Sequence, residues 1–234
     1  MTETTCFTVK PVGDRAALAV CGSAIGEEVN ARVSALNERL RTAVLPGLGE
    51  TVPAFASLLV HYDPLVTDYA TVREALLSLG NSLSVSTKAT GKTVELPVCY
   101  GGAYGEDLAF VAEHAGMRPD EVIALHSKQP YRIYMLGFLP GFPYLGGLDE
   151  RLFTPRLQNP RTKIPAGSVG IGGEQTGVYP LASPGGWQLL GRTPMRLFDP
   201  DDGGKLLYAA GDRIQFVPVN EDDFTRIARE QHTL

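Results

Sequence analysis

Between Tyr131 and Phe198 glycine and proline crowd a stretch that still keeps its aromatic and β-branched residues, and this combination constrains the chain more than any other feature. Disordered Gly/Pro tracts lack such apolar content. The stretch therefore reads as short strands joined by tight turns, the usual way a binding or catalytic surface is presented. Its polar side chains are few, among them Arg161, Lys163, Ser168, Gln175, Thr176, Ser183, Arg192 and Thr193.

The chain around it divides in kind. Phe7 to Val20 reads as a hairpin or a bulged strand, broken by Pro11 and Gly13. Ile25, Val29, Val33, Leu36 and Leu40 recur at helical spacing, which predicts an amphipathic helix from about Ala24 to Thr42 with Ser23 as its N-cap. The apolar run SLLVHY, ending at Tyr62, predicts a buried strand, with His61 a satisfied core histidine. A second helix follows through Tyr69, Val72, Leu76 and Leu79, with Gly80 and Asn81 as its C-cap. This β-α-β-α order suggests helices on one face of a small antiparallel sheet. The polar segment Ser84–Lys92 reads as a linker.

After it, Thr93–Cys99 alternates as a strand. Gly101, Gly102 and Gly105 turn into a helix ending at Gly116, and Pro119 opens a short second helix. From Tyr131 to Val219 the turn spacing predicts an all-β barrel or sandwich, and EDDFTRIAREQ a closing short helix or frayed tail. With 44% hydrophobic and 20% charged residues and a net charge of −5, the 234-residue chain has a globular composition and argues against a nucleic-acid binder. Cys6, Cys21 and Cys99 are odd in number, widely spaced and outside any C-x-x-C, so reduced thiols are expected. No leader-like N-terminus or membrane-length apolar run is seen, and a cytoplasmic location without membrane attachment is expected.

Chemistry is sparse. GFLPGFPYLGG (Gly137–Gly147) lacks the Lys-Ser/Thr of a phosphate-binding loop. Its Phe138, Phe142 and Tyr144 either stack on a planar ligand or plug one end of a barrel, the structural or interfacial role being favoured. In SPGGWQLLGRTP, Gly185 and Gly186 let backbone amides approach an anion or carboxylate, and Ser183, Arg192 and Thr193 flank them. Arg161 and Gln175 lie on neighbouring loops. No nucleophile elbow, activated cysteine or metal-ligand spacing is present. The residues describe part of a site.

YRIYMLGFLPGFPYLGGL and, after it, PRTKIPAGSVGIGGEQTGVYPLASPGGWQLLGRTP resemble the KipI/PxpB family, also called allophanate hydrolase subunit 1. The resemblance spans the second half of the chain. It implies an α+β protein: a small N-terminal α/β sandwich-like domain (1–86), then a cyclophilin-like β-barrel domain with two short helices (93–220). It further implies a hetero-oligomer with a PxpC/KipA-type subunit and, in the 5-oxoprolinase version, a PxpA-type subunit. ATP would be the co-substrate of that complex, with no firmly bound cofactor and no metal. On this reading Arg192, Arg161 and Gln175 are candidate catalytic residues. Phe142, Tyr144, Ser183, Gly185, Gly186 and Thr193 are candidate substrate-binding residues. Related members inhibit a sensor histidine kinase or form half of the carboxyltransferase of urea carboxylase, and both remain alternatives.

Overall fold

The structure is a computed structural model that describes residues 7–23, 26–43, 45–83 and 91–232. It separates into two compact units, Met1–Lys88 and Ala89–Leu234.

In the first unit β1 (Thr8–Val12) and β2 (Ala16–Val20) form the hairpin, followed by α1 (Glu27–Thr42), β3 (Leu48–Pro53), β4 (Ser57–Tyr62) and α2 (Tyr69–Asn81). The sheet order is β1-β2-β4-β3, all antiparallel. Pro11 is accommodated because β1 is an edge strand, where a missing backbone donor leaves no ladder bond unmade. One sheet face, with Ala17, Ala19, Leu58, Val60 and Tyr62, packs with Val33, Leu36 and Leu40 of α1 and Val72 and Leu76 of α2. Period-two alternation puts His61 on the other face, so it is exposed and is not the core histidine expected.

Two helix ends also differ. Gly26, not Ser23, occupies the N-cap of α1 and offers no side-chain bond, whereas Asp68 caps α2 by accepting the Thr71 N–H at 2.8 Å. The C-cap of α2 is Ser82, so Gly80 and Asn81 stay helical. Gly80 serves packing: a Cβ there would lie 2.5 Å from the Phe7 ring. All but the last two residues of the expected linker, residues 84–90, lie outside the described residues, as do Ala24 and Ile25 of the expected first helix.

The second unit runs β5 (Thr93–Tyr100), α3 (Leu108–Ala115), α4 (Pro119–His126), β6 (Tyr131–Leu136), β7 (Pro143–Gly146), β8 (Arg161–Ile164), β9 (Ser168–Gly172), β10 (Gln175–Val178), β11 (Ser183–Gly185), β12 (Gln188–Arg192), β13 (Phe198–Asp199), β14 (Lys205–Leu206), β15 (Arg213–Val219) and α5 (Glu221–His232). A one-turn helix, Glu150–Leu152, follows β7. Gly116 ends α3 at φ +64 and Pro119 opens α4, as the sequence predicts.

Seven strands close a barrel in the order β10-β7-β6-β15-β5-β12-β9. Closure leaves no unpaired edge around the ring. Among the described strands only β15 and β5 pair in parallel, from Arg213↔Thr93 to Val219↔Cys99. Leu96, Val98, Ile133, Leu145, Val169, Ile171, Leu190, Ile214 and Phe216 belong to a core that also takes in Val111 of α3 and Val122 of α4.

His126 is fully buried in the same unit. Its ring stacks on Phe216, with 4.8 Å between centroids. Nδ1 lies 2.8 Å from the Tyr100 hydroxyl and Nε2 2.8 Å from Thr176 Oγ1. Thr176 donates to the Gly170 carbonyl, so its oxygen accepts from Nε2–H, and Nδ1 accepts from Tyr100. The ring is held as one neutral tautomer.

Candidate functional site

The second unit carries an open cavity of about 400 Å³. It is built by the β6–β7 connection, the β8–β11 ribbon and the segment before β8. Its lining includes Phe138, Phe142, Tyr144, Arg156, Tyr179, Ser183, Gly185, Gly186 and Trp187. The aromatic-proline loop and the SPGGW loop, far apart in sequence, thus form walls of one pocket.

Phe142 is the hub, only 2% exposed. It makes edge contacts with Phe138, Tyr144, Tyr179 and Trp187 at centroid separations of 5.6, 5.2, 5.2 and 5.5 Å. Tight turns hold it in place. Gly137 N–H donates to Phe142 O at 3.1 Å, Leu139 N–H to Gly137 O at 2.7 Å, and Phe142 N–H to Leu139 O at 3.0 Å. Gly141, at φ +80, has its carbonyl held by the Tyr208 hydroxyl. Phe138, at the tip, sits at φ +63 and is the one non-glycine among the described residues in that region.

The opposite wall is a ribbon in which Ser183 pairs with Ile164 and Gly185 with Arg161, with a register shift between. Gly185 lets the ribbon approach closely: a Cβ there would lie 2.7 Å from the Tyr179 hydroxyl and from Ile164, and one of these buried side chains would have to shift. The Gly186 carbonyl accepts from Leu157 N–H at 2.7 Å. Burial pushes the Tyr179 hydroxyl up to about 12, against the pull of the nearby Arg156 guanidinium, so it stays a neutral phenol. Arg156 lies over the Trp187 ring, 5.7 Å from its centroid. It is the one charged side chain in the lining.

The remaining sequence candidates sit elsewhere in the same unit. Arg161 reaches Glu106 and Asp107, each at 2.8 Å, and donates to Trp187 O. Asp107 in turn accepts Leu189 N–H at 2.6 Å. Arg161 therefore fastens the ribbon to β12 and the start of α3. Gln175 opens β10 opposite Gly172. Thr193 is 3% exposed, and its oxygen accepts from Met195 N–H. Arg192 stands over the adjoining rings of Tyr104 and Phe224, 4.9 and 5.5 Å from their centroids, with Nε buried and unpartnered. None of these four side chains lines the cavity. Arg156 and Tyr179 do, and sequence reading did not single them out: Tyr179 lies inside the family motif, while Arg156, in FTPRLQNP, reads as ordinary loop.

The cavity can surround a small flat ligand with ring faces, present a fixed positive charge and admit backbone close to it. It contains no acid–base pair and no nucleophile beyond Ser183, whose hydroxyl donates to Pro184 O at 3.1 Å. Among the described residues no three His, Cys, Asp or Glu side chains gather as a metal site, and no helix is long and apolar enough to cross a membrane.

The chain belongs to the carboxyltransferase family: the model for the carboxyltransferase domain, subdomain C and D, matches residues 7–207. The similar curated proteins within it are more particular. The B-type subunit of 5-oxoprolinase from Bacillus subtilis (strain 168) is 41% identical over 240 residues, covering 97% of this chain and 98% of that protein. Its counterpart of the same name from Escherichia coli O157:H7 is 54% identical over 138 residues, or 59% of this chain and 63% of that protein. The Kluyveromyces lactis urea carboxylase structure shares the fold, with a TM-score of 0.79 at 22% identity over 96% of this chain and 23% of that one. The family resemblance carried by the Tyr131–Phe198 motifs is thereby borne out.

One expected result separates Arg192 from the cavity. The Arg192 guanidinium packs on the Tyr104 and Phe224 rings and does not line the pocket. R192A is therefore expected to leave the KM of an assembled complex for its small substrate within about threefold, the loss being one of packing and cation–π contact. A tenfold rise in KM would return Arg192 to the site.

Proposed function

We propose that this chain is a subunit, inactive alone, of an ATP-dependent 5-oxoprolinase. The complex converts 5-oxo-L-proline, ATP and water to L-glutamate, ADP and phosphate, and its other members are a PxpC/KipA-type and a PxpA-type subunit. One observation carries the reading: the cavity has binding surface without catalytic groups, in a chain similar over nearly its whole length to a 5-oxoprolinase subunit.

A lactam resists hydrolysis because its carbonyl is a poor electrophile. Phosphorylation of the amide oxygen by ATP makes it a good one, and the charge that develops is met by oriented donors. This chain would hold and orient the ring with Phe142, Tyr144 and the Gly185–Gly186 backbone. The facing wall, and the groups that handle ATP, would come from the partners.

The test is co-expression with the partner subunits and assay of 5-oxo-L-proline-dependent ATP hydrolysis. Activity of the complex, absent from the chain alone, is expected. An inert complex, combined with a lone chain that blocks autophosphorylation of a sensor histidine kinase, would replace the reading by the inhibitory one.

A further inference from the structure

Two observations at the cavity remain without a purpose in the fold itself. The first is Phe138. Its left-handed backbone is unfavourable for a side chain with a Cβ, typically by about 1–2 kcal/mol, and the residue is 63% exposed. Backbone strain and apolar exposure both weigh against the isolated chain, and neither contributes to packing. Strain of this kind persists where the surroundings impose it, and it concentrates at ligand clamps. Here the surroundings do impose it: the closed turn from Gly137 to Phe142 and the buried Phe142 ring fix the loop on both sides.

The second is Arg156. It is exposed, has no carboxylate partner among the described residues, and stands over Trp187 as the single charge in a lining otherwise made of rings, prolines, glycines, a leucine and a serine. Elsewhere in this unit Arg118, Arg151, Arg161, Arg196 and Arg226 all hold acidic partners. Arg192 also stands over rings without an acid, but Arg156 alone does so in the cavity lining, where a carboxylate from outside can reach it.

We propose that the cavity is a reader of small cyclic monocarboxylates: Arg156 takes the carboxylate, and Phe138 supplies a preset face for the ring. This deepens the proposed function and rests on it for the identity of the substrate, though not for the carboxylate chemistry. Volume agrees, since about 400 Å³ is at the small end of ligand pockets. So does charge, because a planar guanidinium binds a carboxylate through two parallel hydrogen bonds, which a lone ammonium cannot match. Arg156 is thus a specificity residue and Phe138 a positioning one.

The full complex decides the matter by calorimetric titration with two probes: 5-oxo-L-proline, and 2-pyrrolidinone, which has the same ring without the carboxylate. The complex is expected to bind the acid at least tenfold more tightly than the neutral lactam. R156Q should abolish that preference by weakening the acid alone, and R156K should restore part of it. F138G frees the backbone of its strain, so the chain should be no less stable to denaturant while affinity for both probes falls about fivefold or more.

Equal binding of the acid by the complex and its R156Q variant would overturn the proposal, as would failure of the complex to bind either probe. It is overturned for Phe138 if F138G binds both probes normally but no longer assembles with the partner, which would make that ring a protein contact. A complex that binds the acid through Arg156 yet shows no 5-oxo-L-proline-dependent ATP hydrolysis would sink the 5-oxoprolinase reading and leave the carboxylate pocket standing. An active complex indifferent to R156Q would do the reverse.

Discussion

F142A is expected to destabilise the second unit by about 3–5 kcal/mol, the range for deleting a buried phenylalanine ring. Phe142 touches four other aromatic rings and is 2% exposed, so few neighbours can move in to refill the space. The wall of the cavity would go with it, because Phe138, Tyr144, Tyr179 and Trp187 are arranged around that one ring. Denaturant unfolding followed through Trp187, the only tryptophan in the chain, reports this unit directly. F142L preserves most of the volume and should cost under about 1.5 kcal/mol. A loss below about 1 kcal/mol for F142A would mean that these rings are not a packed core.

The second large effect is a dependence on pH. Burial lowers the pKa of His126 from its ordinary 6.5 to about 3. Between those values the unfolded chain binds a proton that the folded chain refuses. Stability therefore falls as pH drops from 6.5 towards 3 and is indifferent to this group above 6.5. The slope approaches about 1.4 kcal/mol per pH unit in that window. No carboxylate lies among its hydrogen-bond partners, which are the Tyr100 and Thr176 hydroxyls, so nothing there welcomes an imidazolium. Carboxylates elsewhere also titrate at low pH, and the comparison must be differential. H126Q keeps a neutral polar side chain at the site, and its stability should fall less steeply than the parent's between pH 6 and 4. Parallel curves for the two proteins would show that His126 is protonated in the folded state.

Local signals with a strong physical cause were readable from the residues. Gly116 and Pro119 delimit α3 and α4 because few other residues suit those backbone positions, and the 3.6-residue periodicity finds α1 and α2. What escaped depends on pairing. The edge strand β3, LGETVP, is largely exposed and barely alternates, so its residues carry no strand signal of their own. His61 was legible in principle, since its neighbours Val60 and Tyr62 point inward. The cavity was half legible. Its rings and glycines stand out in the motifs, but Arg161 finds Asp107 at 54 positions' distance and Arg156 finds Trp187 only through the fold. An arginine in a loop announces neither an ion pair nor a ligand. Only the assembled barrel distinguishes the two.

The parallel seam between β5 and β15 sets a timetable for the chain as it is made. Just beyond that seam Lys92 N–H bonds the Asp212 carboxylate across 120 positions. At ribosomal rates of about 5–20 residues per second, β5 emerges and then waits roughly 6–24 s for the strand that completes it. Its other neighbour, β12, is also far downstream, so for most of that interval both edges of the strand stay open, and the polypeptide is at its most vulnerable to pairing with the wrong neighbour. A chain interrupted anywhere between the cavity loops and Arg213 carries every residue that lines the pocket and has no closed barrel to hold them.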